Sequence, residues 1–146
     1  MAKSSTLDTL IDLAATDTGN AAKRLGHALS ASRDAEQRLE MLLQYRDEYK
    51  ARFQAGLLEG LTASGYRNFQ LFLGKLDQAI VGQQQIVQNA QQRIGEERSA
   101  WQECERKRKS YDLLATRAEQ KELKKEGTRD QKAMDEYAAR QHFYKR

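Results

Sequence analysis

Read from Leu7 in alternating steps of four and three, the chain passes through Leu7, Ile11, Ala14, Thr18, Ala21, Leu25, Ala28, Ser32, Ala35, Leu39, Leu42, Arg46, Tyr49, Phe53 and Gly56, eleven of them apolar. A repeat averaging 3.5 residues is slightly shorter than the 3.6-residue turn of a straight helix. Only a left-handed supercoil keeps such a stripe against a partner, so the pattern predicts a coiled-coil seam. The repeat breaks at GLLEGLTASG, residues 56–65. Three glycines there oppose continued helix at about 1 kcal/mol each relative to alanine, which marks a turn. The repeat resumes through Tyr66, Phe69, Leu73, Leu76, Ile80, Gln83, Val87, Ala90, Ile94, Glu97, Trp101, Cys104, Arg108, Tyr111, Ala115 and Ala118, thirteen of them apolar. Glu122 and Lys125 come next and are polar, so the seam ends there.

Two seams joined by so short a loop fold back as an antiparallel hairpin, because the loop cannot return the second helix to the start of the first. If Gly56 faces Tyr66, facing residue numbers add to 122. Ala21 then meets Trp101, Ala28 meets Ile94, Ala35 meets Val87 and Leu39 meets Gln83, so that small residues face large ones, as a layered core requires. Such a hairpin runs roughly 75 Å at 1.5 Å per residue. A one-heptad slip would pair similarly alanine-rich layers, so the repeat alone leaves the register open to it. The expected fold is all-α: one long antiparallel two-helix coiled coil over 1–146, with helix 1 about 4–55, a loop at 56–65 and helix 2 about 66–126. Gly127 is expected to interrupt the second helix, and Thr128 with Gln131 spells a capping box restarting it. A short helix or continuation at 128–141, with Met134, Tyr137 and Ala138 on one face, is then an overhang without a partner in the chain.

Apolar residues beside the seam carry further information. With Leu39 and Leu42 as positions a and d, the g positions include Leu10 and Tyr45 on helix 1, and Phe72, Ala79, Ile86 and Leu114 on helix 2. The e positions of helix 2, among them Gln70, Asp77, Gln84 and Gln91, are polar. In an antiparallel pair g faces g, which places Tyr45, Phe72, Ala79 and Ile86 along one edge near the loop. These residues either broaden the hairpin core or form a partner site, since a contiguous apolar strip exceeds scattered surface hydrophobics.

Composition narrows the function classes. The chain has 146 residues, no proline, 32% charged residues and a mean hydropathy of -0.87, which suits a thin helical protein better than a thick globular core. Its one cysteine, Cys104, lies on the seam and reads as a small core residue, and no intramolecular disulfide is open to it. His27 and His142 are far apart, and no glycine-rich phosphate loop, GxSxG or HExxH motif occurs, so no enzyme, metal site or cofactor is expected. The N-terminus lacks a signal-like apolar run and no stretch is long enough to span a membrane. A cytoplasmic location is therefore expected, with any membrane association made through a partner. Residues 106–146 hold 13 Lys and Arg against 7 Asp and Glu, while residues 1–105 hold 12 against 14. A basic end can serve nucleic acid or an acidic protein surface, or be merely a solvated face.

EQRLEMLLQYRDEY (36–49), NFQLFLGKLDQAI (68–80) and DQKAMDEYAAR (130–140), with LDTLIDLAATD and AAKRLG near the N-terminus, resemble the corresponding stretches of the FliJ family. The likeness covers nearly the whole chain, and the DQKxMDE stretch is its most specific piece. The resemblance implies an antiparallel two-helix coiled coil, similar to the stalk of the rotary ATP synthase gamma subunit, in the bacterial flagellar type III export apparatus. It implies insertion into the export ATPase hexamer, which also carries a stator, promotion of ring assembly and hydrolysis, contact with the transmembrane export gate protein, and escort of empty export chaperones. The protein would then be cytoplasmic and peripherally held at the inner membrane by the apparatus. The family's gate contact maps here to Leu42, Tyr45, Tyr49, Phe72, Leu76 and Ala79, coinciding with the g edge. Arg38 and Gln83 depart from the family pattern, where glutamine and histidine are familiar. By analogy with the rotary stalk, the end carrying both termini enters the ring, with Leu10, Leu13, Arg129, Lys132, Met134, Tyr137 and Arg140 facing it. Two further readings are the equivalent stalk of a virulence type III secretion system and a basic coiled coil that binds nucleic acid.

Overall fold

The structure is a computed structural model that describes residues 2–144, with side chains from Thr6 onward. Two helices make up almost all of it: α1, Ala2–Glu59, and α2, Ala63–Tyr144. They pack against each other as a helical hairpin, and no strand occurs among the described residues. The chain divides into two compact units, residues 19–102 and residues 1–18 with 103–146.

Burial follows the 3.5-residue repeat closely. None of the fifteen seam positions of α1 is exposed, and outside them only Leu29 and Leu43 are partly covered among that helix's described side chains. On α2 every seam position from Phe69 to Ala115 is covered, whereas Tyr66 and Ala118 at its two ends are exposed. Most of the buried residues are small and lie on α1: Ala14 and Thr18 in one unit, Ala21 (0% exposed), Ala28, Ser32 and Ala35 in the other, where α2 adds Leu76 and Ile80. Two helices approach most closely over alanine and serine, which is why small residues make up most of the buried layers. Thr18 satisfies its hydroxyl by donating to the Ala14 carbonyl at 2.8 Å.

Polar contacts fix the register in the unit 19–102. Arg24 Nε lies 3.3 Å from Glu97 Oε2, and Arg46 Nη1 lies 3.7 Å from Asp77 Oδ1. Gln83 Nε2 donates to the Ala35 carbonyl at 2.9 Å. The numbers of these pairs, and of the aromatic pairs that cross between the helices, add to between 117 and 123. They cluster about the alignment read from the seam and exclude a full heptad slip in that unit. Glu97, itself a seam residue, is shared with Arg93 at 3.1 Å, so its carboxylate is held by a cation from each helix. In the other unit Arg108 Nη2 donates to Glu105 Oε1 at 2.6 Å. That hydrogen bond, and then the carboxylate's charge, raise the Arg108 pKa above its ordinary value, so the guanidinium stays charged at any working pH.

The turn is tighter than the glycines imply. Only residues 60–62 lie outside the helices, not 56–65. Gly60 carries the left-handed φ of +92° that ends α1, a conformation an L side chain rarely takes. Thr62 caps α2, its Oγ1 accepting the Gly65 N–H at 3.1 Å while its carbonyl accepts the Tyr66 N–H at 2.9 Å. Gly56 and Gly65 are helical, and both lie against Leu61, whose side chain would stand 3.2 Å and 3.3 Å from a Cβ at those positions. Their missing side chains make room for the leucine that closes the end of the core.

The expected break at Gly127 does not occur, because α2 runs through it to Tyr144. Thr128 does not act as a cap either: its hydroxyl donates back to the Lys124 carbonyl at 2.9 Å. One glycine costs a continuous helix only about 1 kcal/mol, less than the groups a break would leave without intrahelical partners. From Thr116 to Tyr144 every side chain is exposed.

Candidate functional site

The 3.5-residue repeat brings four aromatic seam residues, Tyr49, Phe53, Tyr66 and Phe69, to the loop end of the unit 19–102. Tyr45 and Phe72 join them from the flanking g positions. The rings interleave across the two helices. Tyr49 lies 4.5 Å from Phe72 and 4.9 Å from Phe69, and Phe53 lies 5.1 Å from Phe69 and 5.5 Å from Tyr66, all tilted. Tyr45 meets Phe72 edge-on at 6.1 Å. Tilted and edge-to-face rings at these separations attract through their quadrupoles in addition to the area they bury.

This ladder answers whether the g-edge aromatics belong to the core or to the surface. Phe72 packs on Tyr49 yet is 37% exposed, and Tyr45 is 43% exposed. They rest on the seam with one face open. Ala79 and Ile86 are exposed as well, as the heptad positions require. Of the other residues mapped to this edge, Leu42 and Tyr49 are half-buried. Leu76 is not part of the open strip: at 6% exposed it lies in the core and supports the edge from beneath.

Beside Tyr45 an open groove of about 610 Å³ is lined by Arg38, Met41, Leu42, Gln44, Tyr45, Glu48 and Gln83. Both departures from the family pattern, Arg38 and Gln83, therefore border it. Met41 is 66% exposed and was missed from sequence, because a c position is ordinarily solvent-facing and carries no seam signal. Its spacing of four from Tyr45 was the available clue, since such residues share a helix face.

The residues expected at the other end all lie in the unit 1–18 with 103–146, and all are exposed: Leu10, Leu13, Arg129, Lys132, Met134, Tyr137 and Arg140. The exposed stretch 116–144 holds seven Lys and Arg against six Asp and Glu, so the excess of positive charge lies mainly outside it. Within it the cations are concentrated rather than numerous. Lys121, Lys124, Lys125 and Arg129 line one shallow groove with Thr128.

Among the described residues no group of His, Cys, Asp and Glu is placed to hold a metal ion, and no helix is long and apolar enough to cross a membrane. Cys104 is a half-buried free thiol on the seam.

The fold and these surfaces define the class: a two-helix coiled-coil hairpin with an open aromatic edge and a second helix that runs on without covered side chains. The family model for the flagellar FliJ protein matches residues 3–146. The chain is 31% identical to the flagellar FliJ protein of Escherichia coli (strain K12) and 30% identical to that of Salmonella typhi. Each match spans 140 residues, covering 96% of this chain and 95% of the relative. This chain belongs to the FliJ family of flagellar proteins.

Proposed function

We propose that this protein is a non-enzymatic, stalk-like component of the flagellar type III protein export apparatus. Its prolonged helix, with Leu10 and Leu13 of the same unit, enters the export ATPase hexamer and promotes ring assembly and hydrolysis. The aromatic edge of Tyr45, Phe72 and Ala79, backed by Leu42, Tyr49 and Leu76, binds the transmembrane export gate protein. The chain also carries empty export chaperones between rounds. It works from the cytoplasmic face of the inner membrane, alongside the ATPase and its stator.

The observation that carries this reading is the run of exposed side chains from Thr116 to Tyr144 on an unbroken helix, in a chain of the FliJ family. A helix of that length with no buried face gains little from its own chain and is best explained by a partner that covers it. Lys121, Lys124, Lys125 and Arg129 suit a lumen lined by acidic side chains, where opposite charge speeds encounter and sets orientation more than it adds affinity. Nucleic acid is a weaker match, because six acidic residues interleave with the cations of that stretch.

The test adds purified chain to a flagellar export ATPase and follows phosphate release, while a second assay measures binding to the gate protein. The full chain should accelerate hydrolysis. A chain ending at Glu126 should lose that acceleration and keep gate binding. Equal stimulation by the two chains would refute the assignment of the helical end.

A further inference from the structure

We propose that the hairpin tip is a docking point for an anionic lipid surface. This goes beyond the export role and stands or falls independently of it. At the turn, Leu61 lies against Gly56 and Gly65 and closes the core. Leu58 is left outside at 91% exposed, with Leu57 half-exposed beside it. Arg52 and Arg67 flank them on the two helices, both exposed and neither ion-paired among the described residues, against the single acid Glu59 in residues 52–72. Tyr66, Arg67, Gln70 and Leu71 line a shallow open groove of about 350 Å³ beside the tip.

The order of these groups along the helices selects lipid over protein. Leu58 is next to the last residue of α1, whereas Arg67 lies four residues into α2 and Arg52 seven residues before the end of α1. At 1.5 Å per residue the two arginines sit roughly 6 Å and 10 Å behind the tip. Apolar side chains foremost, a tyrosine and cations one headgroup layer behind, is the depth profile of a bilayer interface. The leucines offer no hydrogen bond that would orient a protein partner. A second copy of the chain is disfavoured, since two tips carrying the same excess of positive charge repel each other. No helix here spans a membrane, so the contact is peripheral. The sequence alone led us to expect membrane association only through a partner, and the tip supplies a direct route.

The full chain should co-sediment with vesicles of equal parts phosphatidylglycerol and phosphatidylcholine, and far less with phosphatidylcholine alone. Leu58→Ser should weaken that binding about tenfold, the effect of losing one buried leucine. Arg67→Gln should weaken it about fivefold, the effect of losing one interfacial cation. Both positions are exposed, so circular dichroism should be unchanged. Lys124→Gln, in the basic groove of the other unit, should bind like the wild type. Binding that Lys124→Gln weakens and Leu58→Ser leaves alone would overturn the proposal. So would absence of co-sedimentation, which would assign the exposed leucines to a protein partner instead.

Discussion

Tyr45 and Tyr49 lie one helical turn apart and carry different loads. Tyr49 is a half-buried seam residue with Phe69 and Phe72 within 5 Å of its ring, whereas Tyr45 has its ring neighbours, Phe72 and Tyr49, beyond 6 Å and is nearly half exposed. Truncating a packed ring leaves a cavity, while truncating an open one chiefly removes surface. Tyr49→Ala should therefore cost about 2–3 kcal/mol of stability. Tyr45→Ala should cost less than about 1 kcal/mol. Thermal melts followed by circular dichroism would show this, and a gate-binding assay on the same two proteins should show loss of affinity in Tyr45→Ala with its helicity intact. A comparable loss of stability in both variants would return Tyr45 to the core. The heptad pattern located these side chains because g faces g in any antiparallel pair. It also sets Leu76, a seam residue, apart from the g-edge residues, and only the family resemblance grouped it with them. Leu76 is a d position, and in this two-helix seam it is one of only two deeply buried residues on α2, with Ile80.

The two helices were legible in the sequence because a two-helix core has no other means of selecting its inward face than a 3.5-residue repeat. Their ends were less legible, and the glycines show why. Gly60 must be glycine for its backbone, at φ +92°, whereas Gly56 and Gly65 are needed for the space Leu61 occupies and, at Gly65, for the capping Thr62 hydroxyl as well. Gly127 lies in open helix with nothing near a would-be Cβ. Composition makes these four glycines alike, and only tertiary context separates them. Alanine should therefore have opposite effects at two of them. Gly60→Ala should destabilise the hairpin by about 1–2 kcal/mol through left-handed strain. Gly127→Ala should stabilise the exposed stretch of α2 by about 1 kcal/mol through helix propensity alone. Hydrogen exchange resolved by peptide would read both: faster exchange around residues 57–66 in the first variant, slower exchange across 116–144 in the second. Unchanged exchange across 116–144 in Gly127→Ala would mean that α2 is not a continuous helix there.

At the level of the molecule, the account rests on the two seams closing on each other within one chain. The repeat sets the pairing, and the contacts of Arg24 with Glu97, Arg46 with Asp77 and Gln83 with the Ala35 carbonyl hold it in the unit 19–102. The aromatic edge depends on that pairing, since Tyr45 and Phe72 come from different helices. The most direct measurement places spin labels at the exposed positions Lys23 and Arg98, with Cys104 replaced by alanine, and dilutes the labelled chain into unlabelled protein. Helices packed 8–10 Å apart, with the reach of two labels added, predict a separation of about 20–30 Å. A single unfolded-back helix would place the labels roughly 110 Å apart, and that result, or the disappearance of the short distance on dilution, would contradict the hairpin.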